Sequence, residues 1–141
     1  MKAAGLFAAA ILGCQNSTGP DPVLVRIEPT KTLYFPADTV SATFRNLGPN
    51  LLGYSNCHAT LQRWEGSDWV VVPPIGFAGL GCPDAARGSL PAGATQESPV
   101  GVLSATLTSG TYRYRMEVIT DNLMLLPLES RLSAPFLVGE L

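Results

Sequence analysis

The sequence predicts an all-β fold, a sandwich of about seven short antiparallel strands, and three observations carry that prediction. Apolar and polar residues alternate with a period of two over residues 39–46 and 111–120, the spacing of strands with one buried face. Twelve prolines and fourteen glycines are spread through the 141 residues and cut the chain into short segments, which favours strands joined by turns over long helices. Between Cys57 and Pro74 two apolar runs flank the polar turn Glu65-Gly66-Ser67-Asp68 and stop at Pro73-Pro74, which reads as a hairpin. Beyond residue 13 no window sustains an apolar pattern at the helical period.

Composition bounds what the fold serves. With 46% hydrophobic and 14% charged residues the chain is globular, with room for one domain. Its net charge of -2 has no basic block behind it, which argues against a nucleic-acid surface.

The first element is a leader. Met1-Lys2 supplies one positive charge, residues 3–12 form an apolar run too short to span a bilayer, and Gly13-Cys14 follows. Ile11-Leu12-Gly13-Cys14 resembles the lipobox of bacterial lipoproteins. The resemblance implies that residues 1–13 are a cleaved signal peptide and that Cys14 is the acylated, palmitate-bearing N-terminus of a cell-envelope protein. Gln15, where a retained inner-membrane lipoprotein carries Asp, implies the outer membrane if the cell is Gram-negative. Residues 14–22 then read as a tether, polar and turn-rich, of at most about 26 Å beyond the cysteine. The membrane is thus one expected partner, through lipid on Cys14.

The domain is expected over 23–141. Val23, Val25 and Ile27 share one face of a first strand stopped by Pro29, and Leu33-Tyr34-Phe35 is a short continuation. In the 39–46 strand Val40, Ala42 and Phe44 point inward. Leu47-Gly48-Pro49-Asn50 is a turn cluster, the hairpin from Cys57 to Val72 follows, and residues 76–88 form a Gly-rich loop. A turn at 90–95 leads to a weak strand ending near Val102. Tyr112, Tyr114, Met116 and Val118 share the inner face of the next strand, and a last strand runs from about 131 to 138.

Leu107-Thr108-Ser109-Gly110-Thr111-Tyr112 resembles the tyrosine corner of bacterial immunoglobulin-like and fibronectin-like domains, in which the hydroxyl bonds back to nearby backbone. The turn at 90–94 and the pattern from Leu61 through Gly66 to Trp69 and Val71 are similar to those modules as well. The resemblance spans about 105 residues and implies an immunoglobulin-like β-sandwich. It departs from antibody domains in placing Tyr114 where they carry the late-strand cysteine.

With Cys14 assigned to lipid, Cys57 and Cys82 remain as an even pair. A disulfide between them would be a local staple of the hairpin and loop, stabilising by about 3.5 kcal/mol on the chain-entropy model. Two buried free thiols are the alternative.

The chemistry-bearing residues are sparse. His58 is the sole histidine, and no Gly-x-Ser-x-Gly elbow is present. Neighbours on a strand face opposite ways, so Cys57 and His58 share a metal only where the strand is broken. Arg113 and Arg115 read as a solvated ladder with cross-strand partners. The sequence therefore predicts no catalytic residue, no metal site and no cofactor. Asn122-Leu123-Met124-Leu125-Leu126-Pro127-Leu128 stands out, because a connection between strands is ordinarily polar. It reads either as a loop folded over the core or as an exposed patch, made by Leu123, Met124, Leu125, Leu126 and Leu128, that docks a protein or the membrane. The expected function is a non-catalytic, lipid-anchored envelope protein whose sandwich is an interaction or scaffolding module for an envelope partner. The alternative is an inhibitor of an extracytoplasmic hydrolase that presents the 76–88 loop.

Overall fold

The computed structural model describes residues 22–73 and 87–141, and over these the chain is all-β in two sheets. Nine strands occur: β1 (Val25–Pro29), β2 (Leu33–Tyr34), β3 (Thr39–Asn46), β4 (Leu52–Trp64), β5 (Trp69–Val71), β6 (Arg87–Leu90), β7 (Thr95–Val102), β8 (Gly110–Thr120) and β9 (Phe136–Val138). One sheet runs β1-β3-β7; the other runs β2-β9-β8-β4-β5, with β6 also on β4. All pairings are antiparallel except β2 with β9, which run parallel.

Three features depart from the sequence expectation. Among the described residues the strands number nine rather than about seven. β4 begins at Leu52, not at Cys57, and its first half pairs with β6 on one side and β8 on the other. The last strand shrinks to Phe136–Val138, because Pro135 has no N–H to give a ladder and only single bridges reach Leu132 and Ser133. Pro99, inside β7, is accommodated at an edge: it faces Ser41 where the β3–β7 register shifts.

The core lies between the sheets and follows the alternation. Val40, Ala42 and Phe44 from β3 and Tyr112, Tyr114, Met116 and Val118 from β8 are all buried. The sheets meet where Phe44 stacks on Tyr54, ring centroids 4.5 Å apart. Tyr34, Tyr112 and Tyr114 surround Phe136 at 5.3, 6.3 and 5.8 Å, an aromatic cluster linking β2, β8 and β9. The corner at Tyr112 forms as its motif implies, the hydroxyl donating to the Thr108 carbonyl at 2.7 Å.

Candidate functional site

Leu125 pairs with Ile119 and Leu126 N–H donates to the Val118 carbonyl, so the chain after β8 turns tightly and runs back along it. The turn is the three-residue loop Asp121-Asn122-Leu123. Thr120 closes it, donating its N–H to Met124 (2.9 Å) and accepting from Leu123 N–H at its carbonyl (3.0 Å). Its hydroxyl oxygen also accepts from Met124 N–H at 3.2 Å. Such loops place their last residue in the left-handed region, where glycine is the favoured occupant. Here it is Leu123, with φ at 60° and 70% of its surface exposed. A leucine held there costs about 1–2 kcal/mol, and its side chain recovers little by packing.

Met124, Leu125 and Leu128 are exposed with Leu123, whereas Leu126 is buried in the core. Four of the five patch residues thus face outward, and a charge placed at Leu126 would test folding rather than binding.

Two grooves flank the tip. One, of about 260 Å³, runs between Leu123 and Leu51; the other, of about 320 Å³, runs between Met124 and Leu24 with Pro49. The 46–51 segment bordering both is held by Asn46, whose buried amide donates to the Asn50 and Leu90 carbonyls (2.7 and 3.0 Å) and accepts from Gly48 N–H (2.9 Å). Leu24 is held at the same end: its N–H donates to Ser130 Oγ at 2.8 Å and its carbonyl accepts from Leu47 N–H. The segments that build this end, 22–25, 46–52, 89–95 and 119–126, carry one charged residue, Asp121. Val23, Leu47 and Leu51 are exposed there too. Sequence periodicity gave no sign that these separate segments meet.

The polar candidates fall elsewhere. His58 stands in the stretch where the β4–β8 register shifts between Ser55 and Thr60, its Nδ1 3.0 Å from Glu117 Oε2 and its side chain largely exposed. Arg115 and Arg131 share a shallow pocket of about 190 Å³ with that pair. Arg113 donates through Nε to Gln62 at 2.8 Å and lies 4.2 Å from the Trp69 ring centre. Burial lowers its pKa, and Glu129 opposes that shift. Among the described residues no three of His, Cys, Asp and Glu gather as metal ligands. Cys57 is not a free thiol, but Cys82, Cys14 and most of the 76–88 loop lie outside the described residues.

No family model and no curated protein matches this chain. Among solved structures it is similar to the ASH/PapD-like domain 7 of human CEP192, with 14% identity over 99% of this chain and 94% of that one, at a TM-score of 0.36. It is similar to the archaellum periplasmic stator protein FlaG from Sulfolobus acidocaldarius, with 14% identity over 81% and 99% and a TM-score of 0.41. A third likeness is to the alkylpurine DNA glycosylase AlkC of Pseudomonas fluorescens, solved with DNA containing an abasic site analog, with 15% identity over 84% and 31% and a TM-score of 0.36. These likenesses bring no activity or partner with them.

Proposed function

We propose that the chain is a lipid-anchored, non-catalytic protein of a bacterial cell envelope, and that its sandwich is an immunoglobulin-like interaction module. The observation that carries the reading is Ile11-Leu12-Gly13-Cys14 at the end of an apolar leader, followed by the polar, turn-rich stretch 15–22. The strand order supports the immunoglobulin-like assignment. A first strand starts in one sheet and its continuation joins the other beside the last strand. β4, β8 and β9 pair in one sheet, β3 and β7 in the other, and a tyrosine corner enters the penultimate strand. The inhibitor alternative rests on the 76–88 loop, and no observation favours it over this reading.

The test is the intact mass of protein extracted from bacterial membranes. A chain starting at Cys14 and carrying acyl groups is expected. An unacylated chain, or one that keeps residues 1–13, would overturn the anchor.

A further inference from the structure

We propose that the tip formed by Leu123, Met124 and Leu51 sits in the interfacial layer of a phospholipid bilayer and docks the sandwich flat-ended on the membrane. The inference rests on the lipid-anchor reading above and adds to it a lipid-contact site within the folded domain.

Three observations single out the bilayer as the occupant. The chain enters the domain at this end: Leu24 is tied by its backbone to Leu47 and Ser130, and it borders the same groove as Met124. The nine residues between Cys14 and Leu24 reach at most about 30 Å, so an acylated Cys14 keeps this end within that distance of the lipid. The surface exposes Val23, Leu47, Leu51, Leu123 and Met124 among polar neighbours such as Asn50 and Asn122, with Asp121 its one charged residue, a mixed character that suits the boundary between headgroups and acyl chains. Leu123 supplies the independent sign. The loop would fold more easily with glycine, yet a leucine is kept in the left-handed conformation and projected outward. A local rule broken without a packing return marks a site with another use. Because the tip lacks cations, the docking needs no anionic lipid and resists salt.

The acylated full chain, reconstituted in phosphatidylcholine vesicles with brominated acyl chains, tests this. The variant Met124→Trp adds a reporter at the tip, while the native Trp64, at the far end of β4 twelve residues beyond Leu52, and its β5 partner Trp69 serve as internal controls. The expected result is strong quenching of the added tryptophan and little of the native pair, unchanged by high salt. Leu123→Gly should weaken tip insertion about tenfold, judged by that quenching, without lowering the thermal midpoint. An acylated, vesicle-bound protein whose added tryptophan is no more quenched than the native pair overturns the docking and leaves the anchor standing. An emission that is blue-shifted but unquenched means that a protein or a second copy covers the tip, and overturns it as well. If the mass shows no acyl group, the anchor reading fails by itself, and flotation of the full chain with the same vesicles decides. Flotation lost in Leu123→Gly upholds the tip, and no flotation overturns it.

Discussion

Tyr112 and Tyr114 sit two residues apart on the inner face of β8, both almost fully buried, yet they use their hydroxyls in opposite ways. The Tyr112 hydroxyl donates to the Thr108 carbonyl at 2.7 Å and pins the segment that leads into the strand. Among the described residues the Tyr114 hydroxyl has no hydrogen-bond partner. Tyr112→Phe is therefore expected to cost about 1 kcal/mol, since it removes that hydrogen bond, whereas Tyr114→Phe should raise stability by about 1 kcal/mol by removing a desolvated group. Urea titrations of the two variants at neutral pH check both signs. The same hydroxyl sets a dependence on pH. Burial, with Tyr34 close by, raises the Tyr114 pKa well above its ordinary 10.0. Below pH 10 the phenol is neutral in folded and unfolded chains alike. Above it the unfolded chain releases a proton that the folded one retains, so stability should fall by about 1.4 kcal/mol per pH unit. Tyr114→Phe should show a shallower alkaline loss than the native protein, and an identical slope would remove Tyr114 as the cause.

At the scale of elements, β3 and β8 were legible because their alternation is strict and one face of each is fully buried. β6 and the first half of β4 were not. Leu52-Gly53-Tyr54-Ser55-Asn56 and Arg87-Gly88-Ser89-Leu90 are poor in β-branched residues and rich in those that ordinarily mark turns. Tertiary packing overrides that local preference: the two segments pair with each other, and β8 covers the other side of β4. Gly88 is what allows the approach. A Cβ at Gly88 would overlap the Tyr54 ring, which is itself stacked on Phe44. Gly88→Ala should consequently cost about 3 kcal/mol by forcing that inter-sheet stack apart. The chemical-denaturation midpoint measures the loss, and a neutral result would mean that Tyr54 has room to move. The apolar stretch 122–128 was equally visible as composition. What a linear reading lacks is the left-handed backbone at Leu123, and the convergence of Leu24, Leu51 and Met124 from three distant segments.

For the whole molecule, a Cys57–Cys82 bridge would tie the connection between β5 and β6 to β4. Both strands lie on β4, β5 opposite 62–64 and β6 opposite 52–55, so that connection leaves and returns along one strand. Cys57 stands on β4 between the two pairings, in the stretch where the ladder to β8 is interrupted. Cys82 precedes Arg87 by five residues, a reach of at most about 17 Å, and Arg87 pairs with Ser55, two residues from Cys57. A Cys57–Cys82 bridge is thus within the chain's reach and would close a loop of about 25 residues, worth about 3.5 kcal/mol. For a domain of this size, where total stability is on the order of 5–15 kcal/mol, losing that much is a large fraction. Reduction should lower the thermal midpoint by on the order of 10 °C. Cys57→Ser/Cys82→Ser should show the same loss without reductant and be insensitive to it. A midpoint that ignores reductant in the native protein would count against the bridge.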